Sequence, residues 1–279
     1  MGTDITLQNV WFHYYPNTQA KENWAVKDVS LTFSQGEYIS IIGSNGSGKS
    51  SLACLLNGLF IPSEGKLFIN GTAIDSDQDR WEMKRRVGMI FQNPDNQIVA
   101  PSVLDDIAFG MENLGVTRED MQIRIQQVLQ QVGLTGFEKK EPHHLSGGQK
   151  QRLAIAGILA MQPDVILFDE STSMLDPDGR NSILQLMSEL HDVGITVIHI
   201  THQASEAFRA DRIIVLHQGS VMLDLPKKSL YANAAQLDQW GLDVPLSIQL
   251  HQALRKKGWQ VSDKVESEEQ LVSELWTLM

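Results

Sequence analysis

The sequence predicts an α/β fold, on three observations. A short apolar run, Tyr38-Ile39-Ser40-Ile41-Ile42, ends in a glycine-rich turn that leads into a helical pattern. Two further apolar runs, Val165 to Phe168 and Thr196 to Ile200, end in Asp169-Glu170 and Thr201-His202. Buried parallel strands end in this way where they project functional groups at one edge of a sheet. The composition, 42% hydrophobic and 20% charged over 279 residues, is enough for a sizeable core and excludes a fibrous or wholly disordered chain.

Along the chain, Val10, Phe12, Val29, Leu31 and Phe33 partly alternate with polar residues. This predicts an antiparallel start between Ile5 and Phe33, interrupted by a polar loop from Pro16 to Asn23. Leu52, Leu55 and Leu56 carry the helical spacing of Ser50 to Gly58. Between about Val103 and Met161 the pattern is mostly helical, with Ile123, Ile125, Val128, Leu129 and Val132 on an apolar face, and predicts a helical subdomain inserted into the α/β core. Asn181 to Val193 reads as a helix between the second and third apolar runs. After Leu223 short helices are expected, separated by Pro226, Gly241, Pro245 and Gly258 and followed by the acidic stretch Asp263 to Glu269. The expected division is residues 1–223 and a small C-terminal α-rich appendage, 224–279.

A net charge of -11 argues against a surface built to neutralise nucleic-acid phosphates, so no nucleic acid is expected. One cysteine, Cys54, excludes an intrachain disulfide or a multi-cysteine zinc site. Met1 to Tyr14 lacks the basic and apolar segments of a secretion signal, and no stretch of about eighteen apolar residues occurs, so a membrane role is expected to work through a partner.

The chemistry lies in three motifs. Gly43-Ser44-Asn45-Gly46-Ser47-Gly48-Lys49-Ser50 fits the phosphate-loop pattern between strand and helix, with Ser51 following it. Its glycines let backbone N–H groups curl toward phosphate oxygens, Lys49 adds charge and Ser50 offers a ligand for Mg2+. Asp169 is placed to hold the metal and Glu170 to polarise an attacking water, although an acid pair of this kind also occurs as a plain exposed turn. Leu145-Ser146-Gly147-Gly148-Gln149 opens a helix, Lys150 to Met161, with a serine and two glycines, which makes a second anion site without a lysine. For His143 and His144, just before it, a solvated loop is the plainer expectation.

In this order the motifs resemble those of the ABC ATPase family. The resemblance implies a P-loop NTPase (RecA-like) core with an antiparallel β subdomain, binding ATP and Mg2+. It implies that Gln92 is the Q-loop glutamine that touches the metal, with neighbours that face a membrane partner. It also implies that Ser173-Met174-Leu175-Asp176 is the D-loop, with Asp176 its acid, and that His202 is the switch histidine at the γ-phosphate. Tyr14 stands where the family places an adenine-stacking aromatic, with Tyr15 or Phe12 in that role if the register slips. Ser171 and Met174 depart from the common proline or alanine and alanine at those places, and neither removes a catalytic group. Each ATP is expected between the phosphate loop of one subunit and the signature loop of another, so one chain cannot complete a site.

Phe91-Gln92-Asn93-Pro94-Asp95-Asn96-Gln97-Ile98, Asp105 to Asn113 and Asp169 to Pro177 resemble the ATPases of energy-coupling factor transporters, most of all the first of their two paired subunits. That implies uptake of vitamins or other micronutrients, with a second, homologous ATPase, a transmembrane coupling protein and a substrate-binding membrane protein as partners. It implies a peripheral place on the cytoplasmic face of the cell membrane and a pairing role for the C-terminal appendage. The competing expectation is a soluble ABC ATPase of a non-transport machine, such as iron-sulfur assembly or repair.

Overall fold

The computed structural model describes residues 3–15, 24–229, 246–262 and 268–278. The expected loop from Pro16 to Asn23, the turn residues Gly241 and Pro245, and positions 263–267 of the acidic stretch lie outside the described residues.

The chain runs β1 (Ile5–Phe12), β2 (Val26–Phe33), β3 (Tyr38–Ile42), α1 (Lys49–Leu56), β4 (Glu64–Ile69), β5 (Thr72–Ala73), α2 (Asp77–Arg86) and β6 (Val87–Ile90). Three helices follow, α3 (Val103–Asn113), α4 (Arg118–Gln131) and α5 (Gly147–Ala160). Then come β7 (Val165–Asp169), α6 (Pro177–Asp192), β8 (Thr196–Thr201), the single turn α7 (Ala204–Ala207), β9 (Arg212–His217) and β10 (Ser220–Pro226). The C-terminal helices are α8 (Leu246–Lys256) and α9 (Glu268–Leu278).

Two sheets result. One is antiparallel, in the order β2-β1-β4-β5, and the other runs β10-β9-β3-β8-β7-β6 with only the β9–β10 pair antiparallel. In β7, Val165 and Leu167 join the core that also holds Leu52, Leu55 and the antiparallel sheet's Ile5 and Leu7, whereas Ile166 and Phe168 join the core under α3, α4, α5 and α6. A strand turns successive side chains to opposite faces, so an unbroken apolar run is what a strand covered on both faces requires.

The register positions the site. Ile42 pairs with Thr201 and Asp169 with Ile200, so β3, β7 and β8 end level with one another. The phosphate loop, the Asp169-Glu170 pair and His202 therefore share one edge of the sheet.

Several sequence expectations are corrected. Ile123 is 56% exposed, whereas Ile125, Val128, Leu129 and Val132 are buried. The buried four follow helical spacing, and Ile123 lies two residues before Ile125, about 200° around the helix and on its opposite side. The signature helix begins at Gly147 rather than Lys150, because Ser146 caps it and both glycines take helical geometry. The helix expected from Asn181 begins at Pro177, a residue suited to a first helical turn. β10 continues to Pro226, so a boundary at 223 falls inside a strand that pairs along its length with β9. Ile248, Val261 and Leu271 of the C-terminal segments are buried with Ile42, Ala207, Ile213 and Val215 of the α/β core, so the appendage is docked on that core.

Candidate functional site: a phosphate loop facing an acid pair

β3 leads directly into the loop 43–48, and α1 starts at Lys49. Lys49 is 4% exposed, and its ammonium donates to the carbonyls of Gly43 (2.9 Å) and Ser44 (3.2 Å) while lying 3.4 Å from Glu170 Oε1. A nearly buried ammonium needs such partners to offset its desolvation, and the loop's curled carbonyls supply them. Gly46 and Gly48 have φ of 78° and 101°, in the left-handed region. At Gly48 a Cβ would fall 2.2 Å from the carbonyl oxygen of Ala25. Gly48→Ala is therefore expected to cost at least about 2 kcal/mol of stability, from backbone strain and the clash together, as read by chemical denaturation.

Ser50 Oγ donates to Asp169 Oδ1 at 3.1 Å. Burial pushes the Asp169 carboxyl above its ordinary pKa, and the Ser50 hydroxyl and Lys49 partly pull it back. Glu170 has a φ of 48°, unusual for a residue with a side chain, and its N–H bonds Ile200 O at 2.9 Å. That conformation aims the carboxylate along the sheet edge, where Oε2 lies 3.3 Å from His202 Nδ1 while Oε1 faces Lys49. Ser173 Oγ donates to the Glu170 carbonyl at 2.8 Å and accepts from Gln92 Nε2 at 3.2 Å, so Gln92 is tied to the turn that carries Glu170.

The structure thus brings together Lys49, Ser50, Asp169, Glu170, His202 and Gln92. Tyr14 is adjacent, because its hydroxyl and Ser51 Oγ share a hydrogen bond of 2.7 Å. Its ring is 53% exposed and meets Phe12 and Phe60 edge-on. Phe12 is 7% exposed and stacked on Phe60, so the alternative that made Phe12 the adenine platform is removed. Tyr15, 75% exposed, stays open to that role.

The signature loop is not part of this cluster. Ser146 Oγ accepts from Gln149 N–H, and Gln149 Oε1 accepts from Ser146 N–H, a capping box that satisfies two helix-end donors within the motif itself. Leu145 is buried as the anchor, while a Cβ built on Gly147 or Gly148 would meet nothing within 4 Å. This helix N-terminus is presented outward. Asp176 caps α6 through Gly179 N–H at 2.9 Å, a structural task that the motif did not announce.

Two features escaped the sequence. Lys150 at the start of α5 pairs with Asp95 at 2.7 Å, and Gln97 donates to Ala154 O at 3.2 Å, so the Gln92 loop is fastened to the signature helix. Glu206, 3% exposed, accepts hydrogen bonds from Thr172 and Thr201, residues close in sequence to Glu170 and His202. No motif signals a carboxylate whose partners are this far apart in the chain.

Comparisons with known proteins find relatives along nearly the whole chain. The ABC transporter family model matches residues 26–173, and the model of the energy-coupling factor transporter EcfA1 C-terminal domain matches 245–279. The energy-coupling factor transporter ATP-binding protein EcfA1 of Halalkalibacterium halodurans is 45% identical over 276 residues, 99% of this chain and 98% of its own. The protein of that name from Bacillus subtilis is 45% identical over 275 residues, covering 98% of this chain and 96% of its own. Among solved structures, cbiO1 from Clostridium perfringens, part of the ABC transporter complex cbiONQ, superposes with a TM-score of 0.76 at 31% identity, covering 90% of this chain and all of that one. An ATP-binding cassette solved as a dimer in a post-hydrolysis state with ADP and Pi gives 0.70 at 32% identity, covering 80% of this chain and 98% of that one.

Proposed function

Because the chain belongs to the ABC transporter family, in its branch of energy-coupling factor ATP-binding proteins, we propose that it hydrolyses ATP as one of two paired ATPase subunits driving a micronutrient importer. The observation that carries the chemistry is Glu170, held between Lys49 at 3.4 Å and His202 at 3.3 Å beside the Ser50–Asp169 pair.

Each residue then has a task that its position supports. The loop N–H groups and the N-terminus of α1 receive the phosphates, and Lys49 exchanges its loop carbonyls for a phosphate oxygen. Asp169 Oδ1 and Ser50 Oγ, 3.1 Å apart, form a hard-oxygen set that suits Mg2+, and a cation there relieves the cost of burying the Asp169 charge. Gln92, its amide nitrogen engaged by Ser173, offers a further oxygen on the same side. When bound with ATP, Mg2+ neutralises charge on the phosphate oxygens. Glu170 orients the attacking water and takes its proton, and His202 steadies both Glu170 and the γ-phosphate. Ser146 and the outward N-terminus of α5 serve the ATP held by the partner's phosphate loop. Two such halves make the working unit, with a second, homologous ATPase as the other half.

A groove of about 440 Å³ supports a membrane partner. It opens between α2, α3 and α5 beside the Gln92 loop, lined by Trp81, Val99, Phe109, Leu114, Ile158 and Met161. Trp81 and Phe109 are 48% and 51% exposed, more apolar surface than a solvent-facing wall requires. It is the seat proposed for a helix of the transmembrane coupling protein. Substrate capture then falls to a separate membrane protein, and this subunit sits peripherally on the cytoplasmic face. Among the described residues no helix is long and apolar enough to cross a membrane. The exposed Leu246, Leu250, Val272 and Trp276 of α8 and α9 suit the C-terminal segment to pairing the ATPases.

The test is to tag the chain, extract it from native membranes in mild detergent and identify what copurifies. Recovery of a second ABC ATPase, a multispanning protein and small membrane proteins is the expected result, and recovery with soluble proteins or nucleic acid alone overturns the transport reading. Phe109→Asp is expected to lower copurification of the multispanning protein at least about tenfold by placing a charge in the apolar groove, with ATP binding unchanged.

A further inference from the structure

Glu206 lies on α7, outside every motif used above, and its side chain links α7 to the turn after β7, to β8 and to α6. Its carboxylate accepts from Thr172 Oγ1 (3.0 and 2.9 Å to the two oxygens), two residues after Glu170, and from Thr201 Oγ1 (2.9 Å), one residue before His202. His199 Nε2 of β8 lies 3.4 Å away and Arg180 Nε of α6 3.6 Å away. A second ring closes the network, because Arg180 Nη1 donates to Gln203 Oε1 at 3.0 Å and Gln203 N–H donates to Thr201 Oγ1 at 3.0 Å. On its outer side α7 is held by apolar packing, since Ala207 and Phe208 share a core with Ile248, Val261 and Leu271 of the C-terminal segments.

A carboxylate that is 3% exposed carries a desolvation cost that only a full set of donors offsets. Burial raises the Glu206 pKa, and the His199 ring 3.4 Å away with the hydroxyls of Thr201 and Thr172 outweighs it and holds the group below its ordinary value. The charge is therefore kept, and its hydrogen bonds run to both chain segments that carry the catalytic pair. Nothing else among the described hydrogen bonds joins the 171–173 turn to the side chains of Thr201 and Gln203.

We propose that Glu206 is a positioning residue for ATP hydrolysis, clamping the turn after Glu170 to the end of β8 and so fixing His202 against Glu170. The proposal rests on the roles assigned above to Glu170 and His202. Glu206 is 3% exposed and is bonded to Thr172 and Thr201 rather than to the phosphate-loop residues. Its effect passes through Thr172 and Thr201, so it governs turnover and leaves the phosphate loop's grip on ATP alone.

The experiment is steady-state ATP hydrolysis by the assembled transporter complex carrying Glu206→Gln, Glu206→Asp, Thr201→Val or Glu170→Gln, with ATP binding and thermal midpoint measured on each. Glutamine turns an amide toward donors that need an acceptor, and misplacement of a catalytic pair is expected to lower kcat about 10- to 100-fold. KM for ATP should stay within about twofold, because the phosphate loop is untouched. Aspartate, which keeps the charge, should recover part of the loss. Thr201→Val should lower kcat less than Glu206→Gln and add little to it in the double variant, as members of one network do. Wild-type kcat in Glu206→Gln overturns the proposal, as does a loss that appears only as raised KM. A fall in thermal midpoint with kcat unchanged for the folded complex, in both Glu206→Gln and Thr201→Val, also overturns it. Full turnover by Glu170→Gln would instead remove the assignment of Glu170 and with it the reading of Glu206 as its positioning residue, an outcome distinct from wild-type kcat in Glu206→Gln alone.

Discussion

Glutamine in place of Glu170 should lower ATP turnover by about 10²- to 10⁴-fold, the range a positioned general base contributes, and leave ATP binding intact. The substitution keeps the shape of the side chain and its place between Lys49 and His202. It removes the negative charge and the basic oxygen that a water proton needs. The residues proposed to hold phosphate, Lys49 and the loop amides, are unchanged, so nucleotide should bind as before and dissociate only as ATP. Steady-state phosphate release set against equilibrium binding of labelled ATP separates the two effects. Turnover near that of the natural chain would remove Glu170 as the base, and lost binding would show that the residue holds nucleotide rather than activates water.

Arginine in place of Ser146 should block hydrolysis at the partner's phosphate loop, by about 100-fold or more, and spare the chain's own loop. Ser146 caps α5 and shares a capping box with Gln149, and next to it Gly147 and Gly148 leave the helix end open. An arginine there removes a cap, worth about 1 kcal/mol, and fills the approach to the outward amides with a long side chain. Loss of the cap alone is measured by Ser146→Ala, which should cost far less activity. Assemblies in which only one of the two ATPases carries the substitution, and only one site is competent at a time, tell the sites apart. Equal loss when the chain's own phosphate loop is the competent one would overturn the division of each site between two subunits.

The chemistry was legible because its residues are contiguous. A phosphate loop must be a short run between strand and helix, since the backbone amides that grip phosphate belong to neighbouring residues. The apolar runs of β3, β7 and β8 showed their strands because both faces of that sheet are covered. The early strands β1 and β2 showed through partial alternation. β4 opens on the polar and glycine residues Glu64-Gly65-Lys66 and β6 is four residues long with Gly88 inside it, so neither set a period. In α4 the apolar count was right and the face was wrong at one position, because Ile123 stands on the far side from Ile125 and Leu129.

By itself, then, the sequence determined the family, the phosphate loop, the acid pair at the end of β7, the histidine after β8 and the signature motif, all local patterns whose chemistry depends on near neighbours. Only the tertiary structure decided which side chains meet across the chain. It set Gln92 on Ser173, Tyr14 on Ser51, Lys150 on Asp95, and Glu206 between Thr172 and Thr201. It also docked the C-terminal helices on the core behind α7 and left Trp81 and Phe109 open beside the Gln92 loop. Most of these contacts join residues tens of positions apart, and those of the C-terminal helices with Ile42 more than two hundred, and they depend on sheet order and on the level ends of β3, β7 and β8. No local period encodes that order, which is set by how the apolar faces of whole elements are buried together.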